Sequence, residues 1–364
     1  MNLLNHTCPT CGGTIQFEPG IQKVVCQFCR NVFDAERFRP KDSILDKERS
    51  GQSGWNYTGK AWLQNEQAGM VVFSCRSCGA EIVAEATQGT ATCIFCRKPA
   101  ILTAQFSGTL RPDLIIPFKL RKEEAIKALE KHYLKKTLLP KAFKDYNHIK
   151  EVKGVYVPFW LFDALANSHI TFTAEKVRTW SDSSNNYTET SYYRAVREGA
   201  LLFSHVPVDG SKVMDDKLME SIEPYNMQDS LDFQTVYLTG FFANKFDVDS
   251  QLCFARADER IRQSTISAFQ QTVKGFDRVN LGGAQINLTN REVKYGLLPV
   301  WMLTTIWKDK EYVFAMNGQT GKFIGDLPLD KSAKNRWFLG LTLGVTAAVS
   351  ALVLLLWTVQ GVLV

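Results

Sequence analysis

The sequence predicts two small zinc-ribbon-like units, each with four cysteines, followed by an α+β body and one C-terminal transmembrane helix. The body reads as two duplicated halves, each a helix followed by antiparallel strands. Three observations predict this. Eight of the nine cysteines fall into two sets of identical spacing, two apolar strings in the central region match each other, and the last 28 residues carry no charged side chain.

The first ribbon is placed at residues 1–35 and the second at 70–104. The sets are Cys8-x2-Cys11-x14-Cys26-x2-Cys29 and Cys75-x2-Cys78-x14-Cys93-x2-Cys96, offset by 67 residues throughout. Gly12 and Gly79, Ile15 and Ile82, Phe28 and Phe95, and Arg30 and Arg97 keep the same offset, so the ribbon is internally duplicated. Four thiolates are the usual ligand set of a closed tetrahedral zinc site, and a Cys-x2-Cys turn lets two sulfurs face one ion. The expected cofactors are therefore two structural Zn2+ ions, held by Cys8, Cys11, Cys26 and Cys29 and by Cys75, Cys78, Cys93 and Cys96. A rubredoxin-like iron site is the alternative for the same ligands. A four-thiolate shell keeps no position for water, so a structural and not a catalytic role is expected. Residues 36–69, polar through KDSILDKERSGQSG, read as a flexible linker.

The body is placed at 105–330, with halves at about 110–210 and 245–330. VKGVYVPFWLF (Val152–Phe162) aligns with VKYGLLPVWML (Val293–Leu303), matching Pro158 with Pro299 and Trp160 with Trp301. Each string follows a helix candidate. In Arg121–Lys136, Ile126, Leu129 and Tyr133 share a face; in Asp249–Val273, Cys253, Ala257, Ile261 and Phe269 form a stripe. Strands are expected at Tyr156–Leu165, His169–Val177, Tyr192–His205, Val279–Leu288, Leu297–Trp307, Tyr312–Met316 and Phe323–Ile324, with a hairpin loop at Ser181–Tyr187. NGQTGK at Asn317–Lys322 lacks the spacing of a phosphate loop and reads as a turn. Cys253 reads as a small buried hydrophobe.

The uncharged terminus predicts a transmembrane helix at 337–359, since about 20 apolar residues span a hydrocarbon core. Trp337 and Trp357 suit its interfaces. Lys331, Lys334 and Arg336 precede it, which predicts a single-pass cell-membrane protein with a cytoplasmic N-terminal body. Gly340 and Gly344 form a G-x-x-x-G through which a homo- or hetero-oligomer could associate. The opening MNLLNHTCPTC shows no signal peptide, so the thiols are expected to stay reduced.

The chain of 364 residues has a net charge of +6, with 45% apolar and 22% charged residues. The first 104 residues hold 11 Lys+Arg against 9 Asp+Glu, which argues against a concentrated basic face and against nucleic acid as the main partner. His6, His132, His148, His169 and His205 show no metal-pair spacing, and no catalytic constellation is evident, so no enzyme is expected.

Several strings carry a family resemblance: the CPTCG and CRSCG knuckles, IIPF (Ile115–Phe118), VPFWLFDA (Val157–Ala164), VRTWSDSSNNYTETSYY (Val177–Tyr193) and FAMNGQTGKFIGDLP (Phe314–Pro328). Through them the chain resembles the bacterial TFIIB-type zinc-ribbon, tail-anchored membrane proteins (YdjG-like) over nearly its whole length. The resemblance implies a scaffold or adaptor that recruits SPFH-domain (flotillin-like) and phage-shock-type proteins to the cytoplasmic face of the membrane in membrane stress. The alternative is a membrane-tethered zinc-ribbon protein that binds nucleic acid.

Overall fold

The two matching strings find each other in space. Val152–Phe162 and Val293–Leu303 are apolar on both sides of the pleat, so a strand built from either must be covered on both faces. In the computed structural model they lie antiparallel, with Val152 opposite Leu303, Val157 opposite Leu298 and Phe162 opposite Val293. The strands are central and their side chains are almost all buried. The structure describes residues 7–362 apart from 39–45, 51–53, 63–65, 68–69, 86–90, 97, 106–109, 135, 137, 141–148, 215, 308–309 and 326–329.

In chain order the strands are β1 (Ile15–Glu18), β2 (Lys23–Cys26), β3 (Val32–Phe33), β4 (Asp46–Ser50), β5 (Asn56–Lys60), β6 (Met70–Ser74), β7 (Glu81–Glu85), β8 (Ala91–Thr92), β9 (Pro99–Gln105), β10 (Leu114–Ile115), β11 (Ile149–Ser181), β12 (Asn186–Asp209), β13 (Leu231–Asp232), β14 (Phe242–Asn244), β15 (Arg278–Trp307), β16 (Lys310–Asn317) and β17 (Phe323–Gly325). The helices are α1 (Lys122–Leu134), α2 (Asp216–Ser221), α3 (Ser250–Gln270) and α4 (Lys331–Val362). β1–β3 form a three-stranded sheet of their own, and the other fourteen strands join in one sheet.

Around the β11/β15 pair the chain repeats itself with crossed partners. β10, which precedes α1, runs parallel to β15, and β14, which precedes α3, runs parallel to β11. The Trp160 indole N–H donates to Val248 O at 2.8 Å, just before α3, and the Trp301 indole N–H donates to Leu120 O at 3.0 Å, just before α1. Gly210 N–H donates to Pro158 O and Gly318 N–H to Pro299 O; Gly210 O then accepts from Val248 N–H, and Gly318 O from Leu120 N–H. Each half thus holds the entry to the other half's helix. A buried indole N–H needs a partner, and here the partner carbonyl belongs to the opposite repeat.

Beyond the body, β11, β12 and β15 continue as a three-stranded arm with β11 in the middle, paired with β12 as far as Ser181/Asn186 and with β15 as far as Glu175/Arg278. Alternation is clean here: Ala164, Ala166, Ile170, Phe172 and Ala174 are buried under α3 and its neighbours, while Asn167, His169 and Thr173 face outward. Asp249 caps α3, accepting from Gln251 N–H at 3.1 Å, and Cys253, Ala257 and Ile261 lie on its buried side.

Four expectations need correction. The fold is not a balanced α+β body: it is mostly sheet, with four helices among the described residues. The breaks expected at Ala166–Ser168 and between Leu288 and Leu297 are absent, because β11 and β15 are supported on their flanks by each other and continue through polar residues. The segment 36–69 is not simply a linker. Its Trp55 is fully buried, edge-on to Phe162 at 4.9 Å, with its N–H on Asp258 Oδ1 at 3.2 Å, and β5 pairs with β15. Glu66 in the same segment makes a buried two-pronged ion pair with Arg111 at 2.8 and 2.9 Å.

The C-terminus also departs from expectation. α4 is one helix, but among the described residues no helix is long and apolar enough to cross a membrane. The side chains of 353–362, and residues 363–364, lie outside the described residues. The transmembrane helix expected at 337–359, the tail anchor and the single-pass cell-membrane placement are therefore not supported.

The repeats differ at one informative position. Gly318 follows Asn317, a neutral buried amide, whereas Gly210 follows Asp209, whose side chain is 2% exposed beside Arg256 at 3.2 Å. Burial first, and then the neighbouring Asp216 carboxylate, push Asp209 up to about 7 against the pull of Arg256. A carboxyl raised in the folded state binds more protons there than in the unfolded chain between about pH 4 and about pH 7, so stability falls as pH rises through that window. Urea midpoints for the native chain are expected to drop across this range, and Asp209→Asn is expected to flatten the drop. An unchanged pH slope in the variant would contradict the assignment.

Candidate metal centres

Each quartet is assembled by backbone turns that the sequence specifies. Cys8 N–H donates to Gly13 O at 2.7 Å and Gly12 N–H to Cys8 O at 2.8 Å, a reversal with Gly12 at φ +70°. The second ribbon repeats it, with Cys75 N–H on Ala80 O at 2.9 Å, Gly79 N–H on Cys75 O at 2.8 Å and Gly79 at φ +78°. Both glycines occupy the left-handed region that disfavours a Cβ. The opposing knuckles close likewise, through Cys26 N–H on Asn31 O and Cys93 N–H on Lys98 O, both at 2.9 Å.

The sulfurs converge as the spacing predicts. Within each set the four Sγ atoms lie within 4.8 Å of one another. Cys8 and Cys29 are 3.5 Å apart, Cys11 and Cys26 3.5 Å, Cys75 and Cys96 3.3 Å, and Cys78 and Cys93 3.6 Å. These separations far exceed a disulfide bond of about 2.05 Å and approach the about 3.8 Å edge of a tetrahedron with about 2.3 Å zinc–sulfur bonds. Both quartets can each hold a metal ion, consistent with two structural zinc ions.

Proton sharing within the quartets points the same way. Burial raises Cys8 and Cys75, yet backbone N–H groups and neighbouring thiols outweigh it and bring each down to about 6. Cys29 is pushed up to about 12: the Asn31 N–H works against this, but burial and the three other thiols prevail. Cys78 is raised by burial and by its neighbouring thiols. Four sulfurs this close do not all ionise alone, and a divalent cation is the charge that lets them.

Both ribbons dock on one stretch of the body. In the first, Phe17 N–H donates to Thr239 Oγ1 at 2.9 Å, the Phe17 ring meets Tyr237 edge-on at 5.1 Å, and Gln22 Nε2 donates to Phe118 O at 2.7 Å. In the second, β7 pairs with β14, Ile82 opposite Asn244 and Val83 opposite Ala243, and Glu81 pairs with Lys245 at 2.8 Å. The segment from Tyr237 to Lys245 therefore touches both.

No family model matches the chain, and no solved structure matches it. A sequence relative does: the uncharacterized protein YdjG of Bacillus subtilis (strain 168) is 36% identical over 257 residues, covering 71% of this chain and 75% of that protein. The chain belongs to the YdjG family. In this YdjG-family chain the remaining sequence candidates fall as follows. Cys253 is buried, and burial, with the Asp209 carboxylate, pushes its thiol up to about 12, as expected of an unreactive packing residue. His169 contacts Glu198, and His205 sits 3.7 Å from Asp163. His132 lies against Phe323, while His6 and His148 lie outside the described residues. NGQTGK is a turn, with Asn317 Oδ1 accepting from Gln319 and Thr320 N–H, both at 2.9 Å. Sequence reasoning missed the Glu66–Arg111 pair and the cluster of Asp209, Asp216 and Glu220 around Arg256; no local spacing links these residues.

The two centres differ in access. Cys11 and Cys29 are exposed, whereas Cys78 and Cys96 are only partly so. Elemental analysis is expected to return two zinc ions per chain, and a chelator is expected to remove them in two kinetic phases, the first ribbon's ion leaving first. Cys11→Ser should abolish the fast phase alone; a single phase, or loss of the slow one, would contradict this ordering.

Proposed function

We propose that the chain is an adaptor: two closed zinc ribbons fastened to a rigid sheet body that presents surfaces to protein partners. The observation that carries the reading is a difference between duplicated positions. In the CQFC knuckle Phe28 is 73% exposed, while its counterpart Phe95 in CIFC packs against a core cluster. A large aromatic ring kept in solvent at one copy of a repeat, and tucked in at the other, is the composition of an interface anchor. Closed four-thiolate sites favour presentation over reaction.

The TFIIB-type character of the ribbons belongs to the same proposal, supported by their knuckle spacing and by the three-stranded sheet of the first ribbon. The resemblance noted above implies SPFH-domain and phage-shock-type proteins as partners.

The reading is tested with the purified full chain and an SPFH-domain protein in a calorimetric titration, with a phage-shock-type protein as the second arm. Binding of one of them is expected, weakened by about 2 kcal/mol, roughly 30-fold, in Phe28→Ala. Phe95→Ala is expected to lower stability instead. No binding in either arm, or binding indifferent to Phe28, would contradict the proposal.

A further inference from the structure

β12 is the outer strand of the arm. Along Asn186–Phe203 it pairs with β11 on one side, and among the described residues no strand pairs with its other side. Such an edge offers a row of backbone donors and acceptors to any incoming strand. Proteins usually blunt long edges with proline, inward-pointing charge or a covering element. Here no proline occurs before Pro207, and the strand carries Tyr192 at 69%, Val196 at 41% and Leu202 at 74% exposure.

The side-chain rows are fixed by pairing. Arg194, Val196 and Glu198 lie opposite Thr173, Thr171 and His169 of β11, on the face away from α3. Tyr193, Ala195, Arg197 and Gly199 lie on the other face, where Arg197 Nε donates to Thr272 Oγ1 at 2.9 Å and the Phe269 ring approaches Gly199. Glu198 is held at the edge by its contact with His169.

We propose that this edge pairs with the same edge of a second copy of the chain, antiparallel and centred on Val196, joining two three-stranded arms into one six-stranded sheet. Two-fold symmetry keeps matching faces together, so only residues of like parity along the strand can oppose each other. Under that constraint two registers alone set unlike charges of the unpaired edge, 186–203, opposite each other. Centring on Tyr193 would set Glu189 against Arg197, which is already engaged with Thr272. Centring on Val196 sets Arg194 against Glu198 twice and Tyr192 against Ala200. It also places each Tyr193 beside Gly199 of the partner subunit, where an aromatic ring covers a bare backbone. Opposed unlike charges and aromatic neighbours are the pairs that stabilise antiparallel strands. The paired stretch, 190–202, is about 40 Å long at about 3.4 Å per residue.

Sedimentation velocity on the full chain tests this. A dimer is expected for the native sequence. Arg194→Glu should raise its dissociation constant at least about tenfold, and adding Glu198→Arg to that variant should restore it, which a general loss of folding would not do. Val196→Pro should yield a monomer with an unchanged far-ultraviolet spectrum. A monomeric native chain would overturn the proposal. So would a charge-swapped double variant no tighter than the single one, or a dimer that survives Arg194→Glu and is lost on Gly340→Leu, which would place the contact on α4.

Discussion

The antiparallel contact between Val152–Phe162 and Val293–Leu303 is the constraint on which the rest of the molecule depends. Two related apolar strings lying side by side bury each other's edges, and the Pro-x-Trp unit within each reaches across to fix the opposite helix entry. The crossing matters physically. If each tryptophan had bonded within its own half, the halves could separate at the cost of strand pairs alone. As built, separation exposes two indole N–H groups, the Gly210 and Gly318 carbonyls and the entries to α1 and α3 together.

The ribbons draw on that frame. Neither has enough residues to bury a core of its own, and small domains of that size rely on metal or on a neighbour. Here both are used. The sulfur quartets converge locally through glycine reversals, and Phe17 and β7 attach the two ribbons to one short stretch just ahead of the second half, Tyr237–Lys245. That stretch also contributes β14, which runs beside β11 at Val155. Metal geometry and core geometry are thereby connected through a few residues. A body that holds two metal-closed knobs in fixed positions suits presentation of a surface such as Phe28.

The ribbons were legible in the sequence because ligand chemistry ties residue type to spacing: thiolates from a tight turn need two intervening residues, and a glycine follows where φ must be positive. The repeat was half legible. Matching Pro158 with Pro299 and Trp160 with Trp301 disclosed two related strings, but their mutual pairing and exchanged hydrogen bonds connect residues far apart in the chain. Local composition misled at 36–69, where polar neighbours outnumber Trp55 although its burial beneath Phe162 and Phe254 decides the path. Polar Asn167 and Ser168 hide the continuity of β11 from local composition; in the arm they are simply the outward and inward members of the alternation. At the C-terminus, counting uncharged residues suggested a membrane span that the described helix does not provide.

Native-state hydrogen exchange, followed by mass spectrometry on the zinc-loaded chain, tests the crossed architecture most directly. If the halves are interlocked, amides of 152–162 and 293–303 should lose protection in one cooperative opening, and Trp160→Phe should deprotect the lead-in to α3 before the lead-in to α1. Separate opening of the two strings, or deprotection by Trp160→Phe confined to its own half, would contradict the account.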